Sequence, residues 1–328
     1  MINFWNEIDK PVIALAPMED VTDTVFREII LGISNPGTLK VLFAEFTSTD
    51  GLCHDIGRDK VKHRLFVSQA ERELLSKHNV KLVAQIWGGD PENFRKATQM
   101  LCKDYKFDGI DINMGCPIKK ITRQAACSDL IKYPALAREI IQAVKEYSNI
   151  PVSVKTRTGL KQHTTEEWIS NLLQAGPDAL ILHARTQKMM YAYPADWREI
   201  AKAAAVRNEV AQGIPLLGNG DVMSMADAFN KADEYGIEGI MIGRGIFKNP
   251  WIFNPGKPAT TPQERLAVLL RHSELFVSTW AGEKNYAIMK RFFKIYASDF
   301  AGASELREKL MKSRNHEETK GIVEGFLC

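Results

Sequence analysis

One cysteine of this chain stands where a thiol could do chemistry. Cys116 follows a short apolar run within the segment Asp-Ile-Asn-Met-Gly-Cys, and basic residues come next at Lys119, Lys120 and Arg123. Positive charge close to a thiol lowers its pKa and favours the reactive thiolate. We therefore expect Cys116 to be the reactive thiol. The other four cysteines have no comparable surroundings, although Cys127 follows it by only eleven residues.

Other polar groups also end apolar runs. Lys155 closes Val-Ser-Val-Lys, His183 closes Ile-Leu-His, and the amide of Gln85 stands in a similar place. If these runs are parallel strands of a barrel, their carboxyl ends meet at one mouth, so the three groups are expected to converge. Two cationic groups and an amide suit the electron-rich edge of a flavin, where negative charge develops on reduction.

Two glycine-rich turns follow the last two apolar runs. They are Gly-Asn-Gly-Asp at 218–221 and Gly-Arg-Gly at 243–245. Backbone N–H groups approach a ligand closely where Cβ is absent, and these two turns of a barrel commonly hold a phosphate. The alternative is that the glycines only make tight turns. Two such turns at consecutive strands favour the phosphate site.

These residues need a scaffold that brings strand ends together. The chain repeats a unit in which an apolar run precedes a segment with helical spacing, such as 134–147 or 167–175. The eight apolar runs are 12–15, 41–44, 82–84, 109–112, 152–154, 179–182, 214–217 and 239–242. Eight strands alternating with helices predict the α/β class and a (β/α)8 TIM barrel. A doubly wound sheet is the alternative, but no G-x-G-x-x-G fingerprint or Walker-type loop supports it.

The pattern changes at residues 254–258, Asn-Pro-Gly-Lys-Pro, which neither a strand nor a helix would carry. Directly beyond, Thr261 can cap a helix with Pro262 at its first position and Glu264 at its third. The remaining residues have helical spacing only. The sequence thus predicts a catalytic barrel over 1–254 and a small all-helical C-terminal domain over 255–328.

The helical tail carries the whole net charge. Residues 256–328 contain 12 Lys and Arg against 9 Asp and Glu, whereas the rest of the chain contains 31 of each, so the total of +3 lies in the tail. Lys290, Arg291 and Lys294 occupy one arc of a predicted helix, opposite its apolar residues. Charge runs are usually solvated faces, but a basic face on an otherwise neutral enzyme favours contact with a phosphate backbone.

Composition argues against several classes of protein. With 45% hydrophobic and 25% charged residues, the chain has enough apolar surface to fold. Five scattered cysteines without a C-x-x-C pair make a disulfide framework or a Cys-rich zinc site a poor interpretation, and we expect no metal site. No apolar run reaches the ~18–20 residues of a membrane span, and no signal peptide is visible. We expect a cytoplasmic protein without an obligate protein partner.

Together these segments make the sequence resemble the tRNA-dihydrouridine synthases, flavin-dependent enzymes that reduce uridines in transfer RNA. The cysteine segment is the most specific part of the match, which runs through the whole barrel and is loose in the tail. The matching segments are Ala16-Pro17-Met18, Gln85-Ile86, 111–117, 152–157, 183–186, 218–221, 240–245, 249–253 and 289–294.

The resemblance implies an oxidoreductase that binds FMN in the barrel mouth, takes electrons from NADPH and converts uridine in tRNA to 5,6-dihydrouridine. It implies that the flavin passes hydride to C6 of uracil and that Cys116 protonates C5. The residues implied to hold FMN are Ala16, Pro17, Met18, Gln85, Asn113, Lys155, His183, Asn219, Gly220, Asp221, Gly243 and Arg244. Arg185 is implied to meet the uridine, and the tail, with Lys290, Arg291 and Lys294, to bind the tRNA backbone. The target base must leave its stack to reach such a pocket.

Two loops depart from the family pattern, both near the expected RNA entrance. A glycine-containing run usually follows the cysteine, where this chain has Arg-Gln-Ala-Ala-Cys at 123–127, and a Tyr-x-Gly stretch is replaced by Tyr-Ala-Tyr-Pro at 191–194.

Two other functions are alternatives to the reduction of uridine in tRNA. Another FMN barrel oxidoreductase acting on a small molecule, such as a dihydroorotate or dihydropyrimidine type, would explain neither the basic tail nor the cysteine segment. An RNA-binding protein without catalysis would not explain Cys116 and Lys155.

Overall fold

The computed structural model describes residues 3–122 and 125–328, and it contains a closed parallel barrel followed by helices. The strands are β1 Val12–Leu15, β2 Val41–Phe43, β3 Thr47–Ser48, β4 Lys81–Trp87, β5 Gly109–Met114, β6 Val152–Arg157, β7 Ala179–His183, β8 Leu216–Asn219 and β9 Gly239–Ile242. Every pairing is parallel; β1 closes the barrel by pairing with both β9 and β2. The predicted (β/α)8 fold is confirmed.

One side of the barrel is made of two short strands. β2 pairs with the beginning of β4, and β3 pairs with its end, where Thr47 lies opposite Ile86 and Ser48 opposite Trp87. The break between β2 and β3 contains Glu45, whose side chain is fully buried. Nine strands therefore occupy eight positions, and the break directs a carboxylate toward the barrel mouth.

Helices cover the outside of the barrel. They are α1 Phe4–Glu7, α2 Thr24–Ile33, α3 Thr49–Cys53, α4 Asp55–Val61, α5 Gln69–His78, α6 Pro91–Asp104, α7 Lys119–Thr122, α8 Pro134–Tyr147, α9 Thr165–Leu173, α10 Arg198–Val210, α11 Met225–Glu234 and α12 Gly245–Lys248, with 3-10 turns at Lys62–Leu65 and Cys127–Lys132. The helix predicted over 134–147 is confirmed, and it starts at a proline in its first turn. The one predicted over 167–175 lies two residues earlier along the chain.

Several strands continue past their apolar runs, and this difference matters for the site. Asn113 pairs with Lys155, and Arg157 with His183, as regular strand partners. Neighbouring strands supply backbone hydrogen bonds to these polar residues, so the strands do not stop where hydrophobicity stops. Lys155 and His183, which were predicted to end strands, are thus regular members of the ladder.

The tail consists of α13 Pro262–Trp280, a 3-10 turn Tyr286–Met289, α14 Lys290–Tyr296, α15 Ala303–Leu310 and α16 His316–Leu327. The predicted capping box is present, with Thr261 and Glu264 bonded reciprocally at the start of α13. The tail packs on α2, where the rings of Phe26 and Phe292 lie 5.3 Å apart. The division at 254/255 stays a prediction. Among the described helices, none is both long and apolar enough to cross a membrane.

Candidate active site

A cleft of about 820 Å³, including its open mouth, lies at the carboxyl ends of the strands. It is lined by every residue predicted to contact the flavin, together with Cys116 and Arg185. Gly245, from the second predicted phosphate turn, also lines it. The lining residues for which the sequence predicted no role are Phe46, Gly115, Pro117, Arg157, Tyr191, Val222 and Met223. Barrel enzymes bind their cofactors and small ligands at this end of the strands.

The loop that carries Cys116 is fixed by hydrogen bonds on three sides. Oδ1 of Asn113 accepts from the backbone N–H groups of Gly115 and Cys116, both at 3.0 Å. The carbonyl of Cys116 accepts from the hydroxyl of Ser128 at 2.7 Å. The carbonyl of Gly115 accepts from Nε of Arg157 at 2.7 Å. The half-buried thiol is thereby presented to the cleft on a rigid backbone.

Buried side chains support Asn113 from inside the barrel. Ser153 and the amide of Gln85 donate to the carboxylate of Asp111 at 2.6 and 2.7 Å. Asn113 donates in turn to Oε1 of Gln85 at 2.9 Å. Burial raises the pKa of Asp111 to about 6. Gln85 and Asn113, which the sequence predicted as flavin contacts, therefore also orient the loop of Cys116.

Lys155 places a partly buried ammonium group in the cleft. Its Nζ donates to Oδ1 of Asn219 at 3.3 Å, and Nδ2 of Asn219 donates to the carbonyl of Met241 at 2.7 Å. Burial, followed by the nearby guanidinium of Arg157, lowers the pKa of Lys155 to about 8. An ammonium group can donate three hydrogen bonds. The bond to Asn219 therefore leaves donor capacity for a ligand in the cleft.

His183 is not the second cation that its position suggested. Burial, together with the cationic side chains around it, lowers its pKa well below the ordinary value. The ring is therefore neutral, and its Nε2 lies 3.2 Å from Nη1 of Arg185, which donates to it. Arg157 and Arg185 supply the positive charge that the sequence argument assigned to His183.

Arg185 is held tightly by protein groups. Its Nε donates to the carbonyl of Tyr193 at 2.7 Å, and its Nη2 pairs with the carboxylate of Asp221 at 2.5 Å. Asp221 also pairs with Arg244 at 3.1 Å. The side chain of Arg185 is 2% exposed, although it lines the cleft. The carboxylate of Asp221 thus faces two guanidinium groups, which leaves its backbone as the part suited to an anionic ligand.

Arg157 and Tyr191 are the most informative residues that the sequence argument did not assign. Arg157 is buried and also donates to the carbonyl of Thr186 at 3.1 Å, so it ties two loops of the mouth together. The ring of Tyr191 lies 4.4 Å from the guanidinium of Arg244 and 6.0 Å from that of Arg157. Arg157 could have been found, because it follows Lys155 by two residues on the same face of β6. Tyr191 lies in a loop and carried no such signal.

The two glycine turns combine packing with an open surface. A Cβ at Gly218 would lie 2.6 Å from the ring of Trp197, and Gly220 has a φ of +139°. Both glycines are therefore required by the fold itself. At Gly243 the nearest atom to an added Cβ would be that of Ala16 at 3.8 Å, which leaves room beside the cleft. Of these three glycines, Gly243 best fits the close approach of a ligand to the backbone.

The thiol of Cys116 lies beside that of Cys127. A hydrogen bond from Cys127 lowers the pKa of Cys116 below that of an ordinary thiol, and an N–H of Ile118 and the charge of Arg157 act in the same direction. The sequence attributed this effect to basic residues after the cysteine. Of these, Arg123 lies outside the described residues, and the causes that the structure shows are different groups.

The mouth is linked to the tail by a buried ionic network. The ammonium of Lys284 lies 3.1 Å from Asp23, 3.4 Å from Glu45 and 3.9 Å from the ring centre of Trp280. The indole of Trp280 also donates to Asp23 at 2.9 Å. Glu45 accepts from the backbone N–H of Asp20 at 2.7 Å. The tail therefore contacts the loop after β1, which begins with the cleft residues Pro17 and Met18.

The basic residues of α14 lie outside the cleft. Lys294 is exposed and Lys290 is partly exposed. Arg291 is half-exposed and pairs with Asp20 at 3.1 Å. Arg291 thus has a partner on the barrel, whereas contact of these three residues with RNA stays a prediction.

Outside the cleft, a group of three residues could offer ligands to a metal ion. One ligand atom each of His163, Asp196 and Glu199 lies within 4.8 Å of the others. Glu199 pairs with Lys202 at 2.8 Å, and Asp196 with Arg198 at 2.7 Å. These partners make the group an ion-pair network at the start of α10.

The family model and the curated relatives of this chain agree on one family. The family model described as Dihydrouridine synthase matches residues 14–327. A probable tRNA-dihydrouridine synthase 2 from Bacillus subtilis (strain 168) is 39% identical over 99% of this chain and 96% of its own length. A probable tRNA-dihydrouridine synthase from Staphylococcus aureus (strain COL) is 39% identical over 99% of this chain and 95% of its own. Among solved structures, morphinone reductase aligns over 79% of this chain and 89% of its own with a TM-score of 0.52 and 12% identity, a likeness of fold alone.

Proposed function

The chain belongs to the dihydrouridine synthase family, and on this premise we propose that it reduces uridine in tRNA to 5,6-dihydrouridine with FMN and NADPH. It is an oxidoreductase by family, and the names of its relatives indicate transfer RNA as the substrate. The observation that carries the proposal is the cleft at the strand ends. A rigidly held, acidified thiol faces it together with a set of buried cations.

The residues of the cleft fit a flavin mononucleotide. Lys155 is a partly buried ammonium that can donate further hydrogen bonds, which suits the edge of the ring that gains negative charge on reduction. Arg244 and the open backbone at Gly243 follow the eighth barrel strand, where barrels commonly bind phosphate. Ala16, Pro17 and Met18, which follow the neighbouring strand β1, offer backbone and apolar contact. When bound and reduced by NADPH, the flavin would supply a hydride to C6 of the uracil.

Cys116 is proposed to deliver the proton to C5. Its S–H bond breaks as the C5–H bond forms, and the thiolate that remains is stabilised by the hydrogen bond from Cys127 and by the charge of Arg157. Solvent then returns a proton to the sulfur. Since the loop is held by Asn113 and Ser128, the donor has its position before the substrate arrives.

The tail is proposed to hold the RNA while the uridine enters the cleft. In this scheme residues 1–254 form the FMN-binding barrel and residues 255–328 the RNA-binding domain. Lys290, Arg291 and Lys294 face the phosphate backbone, and the target base leaves its stack to reach the thiol. Arg185 acts at the substrate mainly by fixing the loop of Tyr193, to which it is bonded.

The experiment is the conversion of uridine in unmodified tRNA by the FMN-loaded protein and NADPH. Replacing Cys116→Ala removes the proton donor, so dihydrouridine formation is expected to fall by ~100-fold or more. NADPH oxidation with oxygen as acceptor should continue, because it needs no proton donor on the uracil. Quantitative nucleoside mass spectrometry measures the first rate, and absorbance the second.

Cys102→Ala is the matched control, since Cys102 is partly buried in α6 and lies outside the cleft. It should keep both rates within about twofold. If Cys116→Ala formed dihydrouridine at the rate of the control, another residue would be the donor. A purified protein that neither carries nor takes up FMN would contradict the proposed function as a whole.

A further inference from the structure

Cys127 is a buried thiol beside the proposed proton donor. It is 0% exposed and lies in a small apolar cluster against which Cys116 packs. The next residue, Ser128, is bonded twice to the carbonyl of Cys116, through its N–H at 3.3 Å and its hydroxyl at 2.7 Å. These contacts hold the segment of Cys127 against that of Cys116, so the two sulfurs stay neighbours.

The backbone at Cys127 is strained for a cysteine. Its φ is +54°, and that of Ala125 is +51°. This left-handed region crowds Cβ and favours glycine. A glycine here would remove the strain, yet the chain has a thiol. Strained backbone of this kind concentrates at functional sites, where the surrounding structure maintains it.

The two thiols differ in the way a redox pair requires. Cys116 borders the cleft, and its pKa is lowered by the hydrogen bond from Cys127. Burial raises the pKa of Cys127 well above the ordinary value, so this thiol stays protonated. Thiols that react with peroxides are accessible and readily ionised, and a second cysteine often lies next to them.

We propose that Cys116 and Cys127 form a reversible disulfide when the protein meets hydrogen peroxide. The thiolate of Cys116 attacks the peroxide; a sulfur–oxygen bond forms, the oxygen–oxygen bond breaks and hydroxide leaves. Cys127 then loses its proton and attacks the sulfur of Cys116; the sulfur–sulfur bond forms and the oxygen departs as water. The two thiols lose two electrons in total, and peroxide is reduced to water.

The pairing has a consequence for activity, which alone rests on the proposed role of Cys116. A sulfur tied in a disulfide carries no proton to give, so oxidation would stop dihydrouridine formation. Because a thiol can reduce the disulfide, the loss is reversible. Without Cys127, the oxidised sulfur of Cys116 would stay exposed to further peroxide and gain oxygens that thiols do not remove.

The test uses the FMN-loaded full chain in which Cys53, Cys102 and Cys328 are replaced by Ser, so that two thiols remain. Peroxide treatment should join the tryptic peptides 107–119 and 124–132, each of which contains one cysteine. It should also lower dihydrouridine formation by ~100-fold, and dithiothreitol should restore the rate. In Cys127→Ser, and in Cys127→Gly, which suits the left-handed backbone, the loss should persist and peptide 107–119 should carry added oxygen.

Each outcome decides a separate claim. If peroxide leaves Cys116 with added oxygen and Cys127 free in the two-thiol protein, the pair is not redox-active and the proposal is wrong. If the peptides are joined but activity persists, the disulfide stands and the role of Cys116 as proton donor is overturned. Joined peptides with a reversible loss of activity support both.

Discussion

The barrel mouth and the basic face of α14, formed by Lys290, Arg291 and Lys294, use the same types of side chain in opposite ways. In the mouth, Arg185 is buried and Lys155 partly buried, and both are bonded to fixed acceptors. On α14, Lys294 is exposed to solvent and Lys290 partly so. The charges of the first region are preorganised, whereas those of the second can follow a partner.

This difference suits the cations of the mouth to catalysis and those of α14 to the binding of a polyanion. Buried cations act in a low local dielectric, where each is strong and must be positioned in advance. Exposed lysines are screened by salt and contribute to the binding of a polyanion mainly by releasing counterions. Lys284 lies between these cases, because it belongs to the tail but its ammonium is buried against the loop of the mouth. Changes at the three places should therefore have effects of different size and kind.

The largest effect is expected at the junction. Lys284→Met removes the ammonium that the buried carboxylates of Asp23 and Glu45 share, so that Glu45 keeps only Arg64 at 4.0 Å, and such a loss typically costs about 3 kcal/mol of stability. Burial already raises the pKa of Glu45, and the loss of the ammonium should raise it further. The free energy of unfolding in urea, followed by circular dichroism, measures the loss.

Arg291→Met is the matched control, since it removes a second tail-to-barrel ion pair that is half-exposed. Surface pairs contribute at most about 1 kcal/mol. If the two variants lost the same free energy of unfolding, burial would not distinguish the two ion pairs. The difference between buried and exposed cations would then not hold where the tail meets the barrel.

A smaller but more specific effect is expected in the mouth. Lys155→Met removes the ammonium group and its hydrogen bond to FMN. A hydrogen bond to a charged group is worth about 1.5–3 kcal/mol, so the Kd for FMN should rise by ~10- to 100-fold. In the flavin-free protein the pKa of Lys155 is about 8. As the pH rises through this value the ammonium loses its proton, so the wild-type Kd should rise as well. The Kd of the variant should lack this rise, because its side chain at 155 has no proton to lose.

Quenching of FMN fluorescence measures these constants. Lys161→Met, in the exposed loop after β6, serves as the control and should bind FMN like the wild type. A Lys155→Met protein with an unchanged Kd would remove Lys155 from the cofactor site.

The sequence predicted the positions of the mouth residues well because strand ends have few alternatives. Once the eight apolar runs were assigned to a barrel, Gln85, Lys155 and His183 had to meet at one mouth. What it could not predict was their electrostatic state. The neutrality of His183 depends on burial and on cations that include Arg157, Lys155 and Arg244, three residues that are distant from it along the chain.

The same limit applies to contacts between distant segments. The pairing of Lys284 with Asp23 joins residues 261 positions apart, and the approach of Cys127 to Cys116 depends on left-handed residues at 125 and 127. Periodicity reports which face of a helix or strand is buried, but it carries no information on such loop geometry. Capping, by contrast, is local, and the capping box at Thr261 was predictable to the residue.

The smallest effect is expected on the basic face. Reversing Lys290, Arg291 and Lys294 to Glu should weaken tRNA binding by ~10-fold at low salt and flatten its dependence on salt, since fewer counterions are released. Because Arg291 already pairs with Asp20, the double variant Lys290→Glu, Lys294→Glu should account for most of the change, while FMN binding stays the same. Filter binding over a series of salt concentrations gives both the affinity and the slope of its salt dependence.

The control is the double variant Lys309→Glu, Lys312→Glu. It makes the same change in charge at two exposed lysines elsewhere in the tail. If that pair weakened binding as much as the first, tRNA would respond to the net charge of the tail rather than to one face of α14. The proposed role of the basic face in binding tRNA would then be wrong.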